Sequence, residues 1–193
     1  MKVVEIVIYD KDGREINRVV SHRYKIEKGD ADASDLSTTN FIRFIASMFT
    51  NVTVGTNYDM SIKTIGGTTV ASRFKGNSST YNTFNNTAYC NQYVYISVGT
   101  GSDPPSRDDY ALKAKLAEAL TTITMNEQIG EVILTSTFVF GNDTTIYEVG
   151  LEIIWSAPTA SSCNRFLLDR TVFTEGIQVP ANTAVAISYR FII

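Results

Sequence analysis

The chain has little of the chemistry that most enzymes and metal sites need. It holds a single histidine, His22, in 193 residues. One imidazole excludes a multi-histidine metal site and removes the commonest general base for a serine or cysteine nucleophile. There are two cysteines, Cys90 and Cys163, far apart and without a Cys-x-x-Cys partner, which argues against zinc. They read either as two thiols or, in an oxidising setting, as a disulfide. Basic residues are not concentrated. Lys and Arg number 17 against 20 Asp and Glu, and the net charge is -3. A duplex binder needs a concentrated basic face, and only scattered residues such as Arg14, Arg18, Arg23 and Lys25 are on offer. Nucleic acid is therefore not an expected partner. No apolar run approaches the ~18 residues of a membrane span. Glu5 and Asp10 break the N-terminal stretch before it can act as the core of a signal peptide. The expectation is no membrane contact, and synthesis and folding in a cytoplasm.

What is present is apolar material in period-two stripes. Hydrophobic residues make up 44% of the chain, with ten Tyr and ten Phe, enough to bury a core without metal or disulfide staples. Val4, Ile6 and Ile8 alternate with Glu5 and Val7. Asp12-Gly13 is a hairpin turn signal, and Ile16, Arg18, Val20 and His22 alternate again. The spacing predicts an N-terminal β-hairpin over 1–30, separate from a domain over 31–193. A hairpin alone is marginal in water. It must pack on something, and Val4, Ile6, Ile8, Ile16 and Val20 are the candidate residues of an assembly arm.

Further on, Phe41, Phe44, Ile45, Met48 and Phe49 recur at helical spacing. Tyr58–Ile65 and Thr68–Phe74 read as strands around the Gly66-Gly67 turn. Residues 76–91 form a polar loop with Tyr81, Phe84 and Tyr89 set into it. Gln92–Val98 is a strand with Val94, Ile96 and Val98 inward. Ser106, with Asp109 three residues on, resembles a capping box. Tyr110–Ala117 has good helix propensity, so a second short helix is expected there. From Glu131 the stripes are strand-like to the last residue: Val132, Leu134, Phe138; then Val149, Leu151, Ile153, Trp155; then Phe166, Leu168, Val172; then Val185, Ile187, Tyr189. The fold class expected is all-β: an antiparallel β-sandwich, jelly-roll or immunoglobulin-like, with two short helices and an N-terminal β-hairpin.

The candidate chemical sites are weak. Gly99-Thr100-Gly101 follows a strand, but it leads into Ser106-Arg107-Asp108-Asp109, not the Gly-Lys-Ser/Thr of a phosphate loop. Asp103, Asp108 and Asp109 lack the alternating ligand spacing of a calcium loop, and capping accounts for Asp109 more simply. Glu148 and Glu152 share a strand face. Four residues apart, their α-carbons lie ~13–14 Å from each other, long for a glycosidase pair held within ~9.5 Å. They read as the solvated face opposite Val149 and Leu151. Asn51, Asn77, Asn85 and Asn142 head Asn-x-Ser/Thr triplets that mark surface loops. No catalytic set, metal site or cofactor is expected.

Three blocks resemble a known family. Tyr95–Leu112 (a "VGTG" turn, Pro104-Pro105, then Tyr110-Ala111-Leu112), Ile146–Leu151 ("I-x-E-V-G-L") and Leu168–Phe173 (beside "LLARxVF") are similar to small structural proteins of tailed phages and some archaeal viruses. The ending over Val179–Ile193 and the apolar helix at Phe41–Phe49 also resemble that family. The resemblance covers about residues 36–193, and the hairpin before it departs from the pattern. It implies a non-enzymatic component of a virion, in the tail, a fibre or a capsid-attached part. Such a component is made in the host cytoplasm and acts in the particle, and its partners are copies of itself and neighbouring virion proteins. Two other readings stay open. Tyr81, Phe84, Tyr89, Tyr93 and Tyr95 could form aromatic platforms for a host-surface glycan, as in a carbohydrate- or receptor-binding module. The chain could also be a pilus-like filament subunit assembled by strand donation.

Overall fold

A computed structural model describes residues 2–20, 35–40, 60–72, 94–156 and 163–192. These residues form twelve strands, and every pairing between them is antiparallel. One five-stranded sheet has the order β2-β1-β12-β9-β8. A second has the order β3-β11-β10-β6-β7, and β4 and β5 make a separate two-stranded hairpin. In chain order the strands are β1 (Lys2–Tyr9), β2 (Glu15–Val20), β3 (Asp35–Ser37), β4 (Met60–Lys63), β5 (Thr69–Ser72), β6 (Val94–Gly99), β7 (Lys115–Leu120), β8 (Thr122–Asn126), β9 (Glu131–Val139), β10 (Thr144–Ser156), β11 (Cys163–Val179) and β12 (Ala184–Ile192).

One apolar cluster joins the two sheets. Val4, Ile6 and Ile8 of β1, Leu134 and Phe138 of β9, and Val185, Ile187 and Tyr189 of β12 meet Ile96 and Val98 of β6, Ile146, Val149 and Leu151 of β10, and Ile177 and Val179 of β11. Within each strand the set is the inward half of a period-two stripe, as the pleat requires, except in β10, where the irregularity between Ile146 and Glu148 brings Ile146 to the same side as Val149 and Leu151. The hydrophobic reading of these strands and the all-β class therefore hold.

The hairpin β1–β2 forms as the sequence suggests. Asp10 Oδ1 accepts the amides of Asp12 and Arg14, and Gly13 takes φ of 77°, a conformation that favours glycine. Its place differs from that of an arm. β1 lies inside its sheet, paired with β12 along eight residues from Lys2↔Phe191 to Tyr9↔Ala184. Val4, Ile6 and Ile8 are core residues. Ile16, at a bulge opposite the Ile8/Tyr9 step, and Val20 stay exposed.

The helix expected over 106–117 is corrected. Residues 106–114 are turns and irregular backbone, and Lys115–Leu120 is strand β7. Half of the capping box forms, with the Ser106 amide donating to Asp109 Oδ2 (2.8 Å); the Ser106 hydroxyl accepts the Asp108 amide (3.2 Å), and the Asp109 amide donates to the Ser106 carbonyl (3.1 Å), closing only one turn. Beyond it, backbone donors that a helix would use internally are taken by a carboxylate from β10, and Ala117 and Ala119 pair across to β6. Tertiary partners override helix propensity here. After β7 the chain changes sheets with only Thr121 between, and β8 lies along β9. The Ser136 hydroxyl stitches this corner by donating to the carbonyls of Ala119 and Leu120 (both 3.1 Å). The other expected helix, Phe41–Phe49, lies outside the described residues. Among the described residues no helix is long and apolar enough to cross a membrane.

Candidate functional site

The outer face of the second sheet is covered by its own chain. Residues 99–114 run back over β6, β10 and β11 as a strap, and two charged side chains of the sheet hold it down. Glu148, on β10, is fully buried. Its Oε1 accepts the amides of Gly101 (3.2 Å) and Ala114 (2.7 Å), and its Oε2 accepts the amide of Lys113 (3.1 Å) and Nε of Arg170 (2.7 Å). Arg170, on β11, is also fully buried. Its Nη1 donates to Asp109 Oδ2 (3.0 Å) and the Pro104 carbonyl (3.4 Å), and its Nη2 to the Asp103 carbonyl (3.1 Å). A buried ion pair is tolerable only when its remaining donors and acceptors find partners. Here the strap backbone supplies them.

Glycines set how closely the strap lies. A Cβ on Gly99 would come within 2.5 Å of both the Ala114 carbonyl and Glu148 Oε1, and one on Gly101 within 2.6 Å of Glu148 Oε1. Leu112 is buried over Gly150, whose added Cβ would meet Leu167 at 2.8 Å and Leu112 at 2.9 Å. The strap is also tied from outside. The Thr39 amide donates to the Arg107 carbonyl (2.8 Å), and Lys63 Nζ sits 3.9 Å over the Tyr110 ring.

Asp109 shows the balance of forces. Burial pushes its carboxyl upward. The hydrogen bonds from Lys113, the Ser106 amide and Arg170 outweigh that and hold it below the ordinary aspartate range. A second ionic cluster lies beside the lock. Buried Glu152 pairs with Lys115 (3.1 Å) and Arg165, Glu118 pairs with the same two cations, and the Arg165 guanidinium lies 4.3 Å over the Tyr95 ring. Burial raises the Glu118 carboxyl, but Arg165 and Lys115 outweigh it, so its pKa is lowered.

The solvated reading of Glu148 and Glu152 is therefore corrected: both are buried, because the strap and its flanking cations roof the face they occupy. Asp103 and Asp108 are exposed, while Asp109 is engaged by Arg170 and Lys113. Among the described residues no group of three His, Cys, Asp or Glu gathers as a metal set. Of the aromatic candidates, Tyr95 carries Arg165 on its ring, and Tyr81, Phe84, Tyr89 and Tyr93 lie outside the described residues, as do His22 and Cys90. Asn142 is exposed in the β9–β10 turn.

Sequence reasoning missed the lock, although its parts were in view. The Gly99–Leu112 block supplies the cradle and the clamp, Glu148-Val149-Gly150 supplies the carboxylate and the floor, and Asp169-Arg170 supplies the cation. A glutamate and an arginine inside otherwise apolar strands are the signal, since such charges go inside only when paired. The protein is thus of the all-β class with two antiparallel sheets, one of them roofed by a locked strap. Comparison with protein-family models, with curated proteins and with solved structures gives no match.

Proposed function

We propose that the chain is a non-enzymatic structural component of a virion, a β-sandwich of jelly-roll or immunoglobulin-like type that assembles with copies of itself and with neighbouring particle proteins through sheet edges. The observation that carries this reading is the strap lock. The three sequence blocks that resemble phage and archaeal-virus structural proteins converge on the Glu148–Arg170 pair, and the lock they build is satisfied internally. Its carboxylates are occupied by the chain's own donors. The arrangement suits rigidity and leaves no poised acid, base or nucleophile at that place. Exposed apolar side chains lie instead at strand edges and turns: Ile16 and Val20 on β2, Leu116 and Leu120 on β7, Ile123 and Met125 on β8. Such positions suit lateral contact between subunits.

Mass spectrometry of gradient-purified particles from the source culture tests the proposal. The chain should be present at a copy number comparable with other structural proteins, and antibody-gold labelling should place it on the particle. A chain abundant in infected cells yet missing from particles would overturn the proposal.

A further inference from the structure

Among the described residues, the four outer strands of the two large sheets are not protected alike. Exposed edges invite pairing, and proteins blunt them with charge, bulges, shortness or proline. β2 carries Glu15 and Arg18, which pair with each other, Arg18 also pairs with Glu5, and the strand is bulged at Ile16. β7 carries Lys115 and Glu118. β3 is three residues long and begins with Asp35. β8, five residues long, has neither charge nor bulge nor proline to guard it. It reads Thr122-Ile123-Thr124-Met125-Asn126, and every residue is exposed. Ile123 and Met125 lie opposite Leu134 and Val132 of β9, on the core side of the sheet, yet remain 53% and 70% exposed. They extend the apolar underside of the first sheet past the shelter of the second.

The strand is also complementary to itself. Reversed about Thr124, Ile123 falls opposite Met125 and Thr122 opposite Asn126, so apolar meets apolar on one face and polar meets polar on the other. We propose that β8 is a homodimer interface, in which two copies pair their β8 strands antiparallel about a two-fold axis at Thr124 and fuse two five-stranded sheets into one of ten. A two-fold, isologous contact closes on itself and does not propagate. Antiparallel addition also matches every pairing already present in the fold. This deepens the proposed assembly role and rests on it, by naming the edge and the partner.

Cross-linking reads the register directly. Directly opposed residues in an antiparallel pair have α-carbons ~4.5–5.5 Å apart. Thr124 of each copy would face its own mate within disulfide reach. Thr122 would lie ~13–14 Å along the strand from its mate, beyond the ~7 Å limit for a bridge. On mild oxidation Thr124→Cys should give a disulfide dimer that wild type and Thr122→Cys do not. By sedimentation equilibrium the wild type should be a dimer, and the Ile123→Lys/Met125→Lys variant a monomer with an unchanged far-ultraviolet circular dichroism spectrum. A monomeric wild type, a lysine variant that stays dimeric, or equal cross-linking of Thr122→Cys and Thr124→Cys would each overturn the interface. A monomer that is still found in particles defeats the β8 pairing alone. A β8 dimer absent from particles defeats the virion reading alone.

Discussion

Replacing Arg170 with methionine removes the cation from the strap lock while keeping much of its volume. The guanidinium is fully buried, and its loss leaves Glu148 with three amide donors but no counter-charge. It also strips donors from Asp109 and from the carbonyls of Asp103 and Pro104. Breaking a buried pair from one side costs about 3–5 kcal/mol, because the surviving charge stays desolvated. For a chain of this length each kcal/mol lowers the melting temperature by about 2–4 °C, so Arg170→Met should melt roughly 6–20 °C lower. Glu148→Gln alone should also destabilise. The double variant should lose less than the sum of the singles, with a coupling of about 0.5–3 kcal/mol, because the second change removes the charge that the first one stranded. Urea denaturation followed by far-ultraviolet circular dichroism gives all four corners of the cycle. A loss below about 1 kcal/mol for Arg170→Met, or strict additivity in the cycle, would refute the reasoning, since a buried pair cannot behave as an exposed one does.

Other perturbations test separate parts of the account. Gly150→Ala should cost about 1–3 kcal/mol by overpacking against Leu112 and Leu167, whereas Gly141→Ala, where an added Cβ meets nothing within 4 Å, should be close to neutral; paired thermal melts check the contrast. Ile6→Ala should cost about 2–5 kcal/mol in denaturant titration, because Ile6 belongs to the shared core and not to a detachable arm. The Asp109 carboxyl is held below its ordinary range. Its contribution to stability is therefore complete above the unfolded aspartate pKa of ~3.9 and is lost as pH falls through the lower folded value. Asp109→Asn should flatten that part of the acid limb in a stability–pH profile, and an unchanged limb would count against the assignment.

Most of the fold was legible because most of it is pleat. Val4, Ile6 and Ile8, Leu134 and Phe138, and Val185, Ile187 and Tyr189 face the core as their alternation says, and Gly13 and Gly67 turn the chain where their dipeptides suggest. The segment 106–117 departs from its local signals, a Ser–Asp cap and alanine-rich helix formers, which are real but weak. Glu148, far along the chain, takes the amides of Lys113 and Ala114, and β6 takes the strand that follows. Neither partner is visible in a local window. Glu148 and Glu152 were misplaced for the same reason. Strand alternation says which face a side chain occupies, but not whether a distant strap roofs that face. In β11, Phe166, Leu167 and Leu168 are buried consecutively where the register shifts opposite the Leu151/Glu152 step, so period two fails there.

Hydrogen exchange at the amides of Gly101, Lys113 and Ala114 bears most directly on the claim that one carboxylate pins the strap to the sheet. All three donate to Glu148, from positions up to thirteen residues apart in sequence. In the wild type they should exchange slowly, and in Glu148→Ala all three should accelerate together while the β1–β12 ladder keeps its protection. Exchange of Lys113 and Ala114 at the rate of an unstructured peptide in the wild-type protein would contradict the account.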